Sequence, residues 1–153
     1  MSYLGEDIRK LGFGLMRLPQ TDGVIDIEQT KEMVDLFMDA GFTYFDTAYM
    51  YHNFTSEIAL RESLVKRHKR DTYTVATKLP TMFLKKEEDL ERIFNEQLEK
   101  TGLEYFDYYL LHNLGVSHYE IAKKFNAFEF IQKKKEEGTV KSIGFSYHDN
   151  AEL

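Results

Sequence analysis

The chain has 153 residues, 42% hydrophobic and 30% charged, with twelve Phe, ten Tyr, no Trp and no Cys. That is material for one ordinary globular core, much of it aromatic, and not the composition of a disordered or fibrous chain. A net charge of -6, with no basic block stronger than Lys66-Arg67-His68-Lys69-Arg70 or Lys133-Lys134-Lys135, argues against a nucleic-acid footprint, and the lack of cysteine excludes disulfides, thiolate zinc sites and iron-sulfur ligation within the chain.

The first nine residues are polar where a signal peptide needs an apolar run, and about 18 consecutive apolar residues occur nowhere, so no membrane span and a cytoplasmic location are expected. Residues 1–10 are a weakly patterned lead-in with the look of a short hairpin. Residues 11–16 form a first strand whose glycines allow close backbone approach, and residues 17–24, with Pro19 and Gly23, form a loop. Asp26 and Gln29 make a capping box that opens a helix with Met33, Val34, Phe37 and Met38 on its apolar side and Gly41 at its end. A second strand spans 42–48. A second helix spans 56–68, with Ile58 slightly out of phase with Leu60, Leu64 and Val65. A third strand covers 72–79, and a charged helix covers 85–100, closed by Gly102. A fourth strand covers 105–112. Ser117 and Glu120 make a second capping box, opening one helix that runs to Gly138, and a fifth strand covers 140–146.

Five strands thus alternate with four helices at about thirty residues per unit, the pattern of an α/β fold with a parallel sheet, and no domain boundary interrupts residues 1–153. Three strands end in reactive side chains: Asp46, Lys78 and His112. Each occupies the same place in successive units, so all three belong at the carboxyl ends of neighbouring strands, where ligands bind in barrels and open sheets alike. Tyr51 follows Asp46 in the next loop. Period-two alternation sets Thr74 and Ala76 on the face of Lys78, and Tyr108 and Leu110 on the face of His112. Asp107, in a sequence echo of the Asp46 segment, stands near the start of its strand and is expected to be structural.

A tyrosine acts as a general acid near neutral pH only when its proton is held in a relay or its phenolate is stabilised, and a nearby ammonium does the latter. Lys78 supplies that charge, Asp46 is its counter-ion, and His112 orients a carbonyl or passes a proton. Together they deliver a proton to an oxygen that gains negative charge. Taken singly, each has a plainer use: Asp46 as a strand-end cap, Lys78 as a solvated terminus, Tyr51 as a loop aromatic, His112 as a structural histidine. His52, His118 and His148 read as surface residues, and no set of side chains has metal-ligand spacing.

Phe45-Asp46-Thr47-Ala48-Tyr49-Met50-Tyr51 with Glu57, then Ala76-Thr77-Lys78, Leu110-Leu111-His112 and the run from Gly138 to Ser146 resemble successive signatures of the aldo-keto reductases, from Leu11 to nearly the end of the chain. The resemblance implies a TIM-type (β/α)8 barrel and reduction of small aldehydes or ketones with NADPH or NADH. By position it makes Tyr51 the proton donor, Lys78 and Asp46 its tuning pair and His112 the substrate-orienting residue. It also puts Gly14, Leu15, Met16, Asp46 and Ser146 at the cofactor.

Two departures stand out. Tyr147 replaces the Asn usual after the serine, and five strands stand where the family's barrel has eight, leaving most of the family's cofactor contacts outside this chain. The Tyr51-His52-Asn53, His112-Asn113 and Phe145-Ser146-Tyr147-His148-Asp149 phrases are similar to a bacterial subgroup that often carries a C-terminal iron-sulfur segment, which would lie outside this cysteine-free chain. A partial barrel is expected to expose two strand edges and an apolar interior and so to self-associate. The alternatives are a truncated, inactive half-barrel that works only by self-association, and a barrel enzyme using Lys78 as a Schiff base, against which the Tyr51 and Asp46 spacing argues.

Overall fold

The computed structural model describes residues 7–151; the expected N-terminal hairpin falls mostly outside them. The chain opens with β1 (Gly12–Gly14). The expected loop that follows is instead a two-stranded antiparallel ribbon, β2 (Gln20–Thr21) with β3 (Val24–Ile25). Its two-residue turn places Asp22 and Gly23 at φ 51° and 79°. Asp-Gly favours that left-handed turn, but the flanking strands are too short for alternation to reveal them.

The first helix, α1 (Ile27–Asp39), starts where its capping pattern predicts, with the Gln29 N–H donating to Asp26 Oδ1 at 2.9 Å. Next come β4 (Tyr44–Asp46), the turn α2 (Tyr51–Phe54), whose His52, Asn53 and Phe54 are left-handed, and α3 (Ser56–Leu60), which widens into a π turn over Arg61–Val65. The wider turn accounts for the apolar positions falling out of phase. After β5 (Thr74–Leu79) comes α4 (Glu88–Thr101), which begins later than its apolar stripe predicts. The Asp89 carboxylate accepts the Lys85 and Lys86 N–H groups at 3.0 and 3.1 Å and holds the preceding residues in a turn. Gly102 closes α4 in the left-handed conformation, φ 68°, as expected.

The sheet continues with β6 (Phe106–Leu111). The single helix expected from Ser117 to Gly138 is two, α5 (Val116–Lys124) and α6 (Ala127–Glu136), because Asn126 is left-handed at φ 58° and turns the chain between them. The second capping box does not form: Gly115 is the cap residue, no side chain bonds there, and Ser117 lies inside the first turn. The last strand is β7 (Val140–Phe145).

The five parallel strands are ordered β1-β4-β5-β6-β7, each beside its successor, with no reversal of order. That is an arc of a singly wound barrel rather than a doubly wound sheet. The helix-facing side carries Phe45, Val75, Leu79, Tyr109 and Leu111, all buried with Ile93 and Phe94, each large side chain contributing about 1.5–3 kcal/mol.

The other face is fixed by register: Gly12, Tyr44 and Thr74 lie level, as do Gly14, Asp46, Ala76, Tyr108 and Ser142, and then Lys78, Leu110 and Gly144. This inner face departs from the apolar surface expected. Its half-buried positions include Tyr44, Thr74, Tyr108 and Ser142, with the two tyrosine rings 5.4 Å apart. Hydroxyls tolerate partial hydration, so the open face costs less than an aliphatic one would. The outer edges of β1 and β7 have no strand beside them among the described residues. No described helix is long and apolar enough to cross a membrane.

Candidate active site

The carboxyl ends of β4, β5 and β6 bring the predicted residues together. Asp46 is the last residue of β4, and Lys78 projects from the same face of β5. Lys78 is 5% exposed, with its stem buried against the sheet. Its ammonium donates to Asp46 Oδ1 at 2.7 Å and to the Thr47 carbonyl at 2.8 Å, and it reaches Tyr51 Oη at 3.4 Å. The first two are strong charge-assisted bonds and the third is long, so Asp46 and Thr47 set the position of the charge and Tyr51 feels it from there. The same ammonium lies 5.0 Å from the centre of the Tyr51 ring. His112 completes the group, its ring edge-on to Tyr51 at 5.9 Å and 85°.

His112 is 8% exposed, and its Nδ1 is buried without a hydrogen-bond partner. Burial first, then the Lys78 charge, and then His148 and His118, push its pKa down to about 4. At neutral pH the imidazole is therefore uncharged, with one N–H to donate and one nitrogen to accept.

Tyr51 owes its position to an unusual loop. His52, Asn53 and Phe54 follow it at φ 50°, 50° and 69°. The left-handed region costs roughly 1–2 kcal/mol per residue, less for Asn, so the loop needs support. The His52 carbonyl accepts the Thr55 N–H at 3.1 Å and the Thr55 hydroxyl at 2.6 Å. On its ring, Nε2 accepts the Leu18 N–H at 2.9 Å, and Nδ1 meets the Gln20 side-chain amide at 2.6 Å. His52 is thus no free surface histidine: Leu18, ahead of the short ribbon, and Gln20, at its start, use both ring nitrogens. Ser56 adds a buried staple, its hydroxyl 2.8 Å from that of Thr47 and donating to the Leu15 carbonyl at 3.0 Å.

Behind Lys78 lies a buried polar cluster that periodicity did not mark. Glu57 on α3 is fully buried; its Oε1 accepts from the Thr77 hydroxyl and the Gln97 amide, both at 2.7 Å. Gln97 also donates to the Lys78 carbonyl at 3.0 Å and accepts from Tyr109 Oη at 2.7 Å. Glu57 Oε2 has no partner, and burial pushes its carboxyl up to about 7 against the bonds from Thr77 and Gln97. The cluster fixes the β5 backbone at Lys78. The one sequence hint was Glu57's place in the motif after Tyr51.

Gly14 is level with Asp46, and a side chain added to it would meet nothing within 4 Å. Leu15 is fully buried; its N–H donates to the Asp46 carbonyl at 2.8 Å, and its own carbonyl is taken by Ser56. Met16 is 55% exposed. Ser146 Oγ accepts the Asn113 N–H at 2.8 Å, which leaves its hydroxyl proton free to donate. Asp107 lies at the other end of its strand, as expected, with Oδ2 accepting from Arg70 at 2.5 Å and from the Val75 N–H at 2.9 Å.

The sequence pattern of the Aldo/keto reductase family matches residues 10–153. The 4-dihydromethyl-trisporate dehydrogenase of Mucor mucedo is 34% identical over 117 residues, covering 73% of this chain and 33% of that protein. Human aldo-keto reductase family 1 member C3 is 28% identical, covering 94% of this chain and 48% of its own length. Among solved structures, an aldo/keto reductase from Brucella melitensis superposes with a TM-score of 0.69 at 26% identity, covering 93% of this chain and 50% of that one. An aldo-keto reductase from Klebsiella pneumoniae, solved in complex with NADPH, shares the fold at a TM-score of 0.76 and 23% identity, covering 94% of this chain and 47% of that one. The chain therefore spans between a third and a half of these relatives.

Proposed function

Because the chain belongs to the aldo/keto reductase family, we propose that it carries the proton-delivery site of an NADPH- or NADH-dependent reductase of small aldehydes or ketones, working in the cytoplasm. The observation that carries this proposal is the Lys78 ammonium held by Asp46 at 2.7 Å and Thr47 at 2.8 Å within 3.4 Å of the Tyr51 hydroxyl. A carbonyl oxygen lying between Tyr51 Oη and the His112 ring takes the Tyr51 proton as it gains negative charge. The fixed ammonium stabilises the phenolate left behind, at little reorganisation cost. Asp46 holds the Lys78 ammonium and aims it. His112, uncharged near neutrality, orients the substrate through one hydrogen bond.

The nicotinamide, when bound, supplies the hydride. What supports a fit for that end of the cofactor is the open space over Gly14 beside Asp46 and the free hydroxyl proton of Ser146. Gly14, Met16, Asp46 and Ser146 would hold it, with Leu15 giving backbone support from beneath. The test is fluorescence titration of the purified chain with NADPH and NADH, followed by carbonyl-dependent loss of reduced-nicotinamide absorbance. Saturable binding in the micromolar range with turnover is expected. No binding up to millimolar cofactor, and no turnover, overturns the proposal.

A second function, self-association without catalysis, is favoured by the edges of β1 and β7, which have no strand beside them among the described residues, and by exposed Val116, Tyr119 and Phe145 around a cleft of about 590 Å³ between α5 and β7. Light scattering is expected to give a dimer or larger at micromolar concentration; a monodisperse monomer removes this alternative.

A further inference from the structure

We propose that His52 is a positioning residue for Tyr51: by tying the Tyr51 loop to the segment between β1 and β2, it sets where the phenol hydroxyl stands relative to the Lys78 ammonium. The inference rests on the proton-donor role proposed for Tyr51, but it stands on separate contacts. Tyr51 immediately precedes three residues in the left-handed region, a conformation that unsupported His and Phe rarely keep. The His52 imidazole supplies that support from outside the loop. Its Nε2 accepts the Leu18 N–H at 2.9 Å and its Nδ1 meets the Gln20 amide at 2.6 Å. The Leu18 donation makes Nε2 the acceptor, so Nδ1 carries the proton; the Gln20 amide nitrogen stands 2.6 Å from it, and a half-turn of that amide, which exchanges its nitrogen and oxygen, gives Nδ1 its acceptor.

Leu18 is joined through Arg17 and Met16 to Leu15, whose N–H bonds to the Asp46 carbonyl. The ring therefore closes a circuit from Asp46 through the β1–β2 segment back to Tyr51. The direct contact from Lys78 to Tyr51 is long, 3.4 Å, and too weak to hold the phenol by itself. With the circuit cut, the hydroxyl loses its second constraint and the ammonium acts on it from a variable distance.

The test compares His52→Ala with His52→Gln, whose amide oxygen can take the place of Nε2. Two readouts are used on the full chain: steady-state reduction of an aromatic aldehyde with NADPH, and protection of the Leu18 amide in hydrogen exchange. For His52→Ala, kcat is expected to fall about a hundredfold while KM changes by less than about threefold, since misplacing a reacting group by about 1 Å has that cost. Leu18 protection is lost. His52→Gln is expected to restore both. If His52→Ala keeps kcat within about twofold, or if His52→Gln restores Leu18 protection without restoring kcat, His52 only supports the loop and the proposal is overturned. A wild-type chain that binds no nicotinamide defeats the reductase assignment instead. In that case the position of Tyr51 is read from the chemical shift of its labelled ring carbon, which must move in His52→Ala and return in His52→Gln, and an unmoved shift overturns the positioning role.

Discussion

Tyr51→Phe is expected to lower kcat by about 10²–10⁴-fold, the range attributed to one positioned general acid, while leaving nicotinamide affinity within about threefold. The substitution removes only the hydroxyl. The ring keeps its edge-on packing against His112, so substrate access and loop shape are preserved. Lys78→Met is expected to cost a similar factor for a different reason. The methionine fills the buried stem, but the phenolate formed in the reaction loses the charge beside it, and Asp46 is left without its cation. Breaking a buried pair in this way destabilises by about 3–5 kcal/mol; the 31% exposure of the Asp46 side chain puts Lys78→Met at or below the low end. Asp46→Asn retains an oxygen for the ammonium and should lose least of the three. Stopped-flow reduction of an aldehyde, paired with thermal melting, separates chemistry from stability: Tyr51→Phe must lose rate with an unchanged melting temperature. If it keeps more than about a tenth of wild-type kcat, the proton comes from elsewhere.

How much of this was legible in the chain depends on how far apart the partners of each residue lie. Asp46, Lys78 and His112 could be read because a parallel strand with its crossover repeats at a near-constant length, so equivalent strand ends follow from counting. Tyr51 followed from its distance to Asp46. His52 did not, because its partners are Leu18, in the irregular segment after β1, and Gln20, on a ribbon whose strands are two residues each, and neither stretch carries periodicity. Glu57 stood in the motif, but its burial and bonding could not be read for a related reason. A carboxylate on a helix reads as solvated unless its acceptors and donors are known, and Thr77 and Gln97 come from other elements. The split between α5 and α6 turns on one left-handed Asn126 in an otherwise helical pattern. The polar inner face was written in Tyr44, Thr74, Tyr108 and Ser142, but only strand register shows that they share one surface.

The two displaced titrations make a prediction with opposite signs. Burial raises the Glu57 carboxyl from 4.5 to about 7, so the folded state holds that proton more tightly than the unfolded chain. Its contribution is fully present below about pH 4.5 and is lost as pH rises through 7, about 3 kcal/mol in all. Burial and the Lys78 charge lower His112 from 6.5 to about 4, so the unfolded chain takes up that proton first. Its contribution is present above about pH 6.5 and is lost as pH falls through 4, about 2 kcal/mol once solvent screening at the open face is allowed for. Between about pH 4.5 and 6.5 the two slopes oppose each other, and wild-type stability is expected to be nearly flat. Asp35, Glu62 and Glu137, held low by hydrogen bonds from Arg67, Lys66 and Lys134, act mainly below this window. Each single substitution therefore unmasks the other group. Glu57→Gln, which mimics the protonated acid, should make stability rise with pH across the window. His112→Asn should make it fall, and the double variant should be flat again if the sites act independently. Urea unfolding at several pH values reads these slopes directly. Glu57→Gln and His112→Asn with the same slope as wild type would mean that water reaches both groups and that the interior behind Lys78 is not dry.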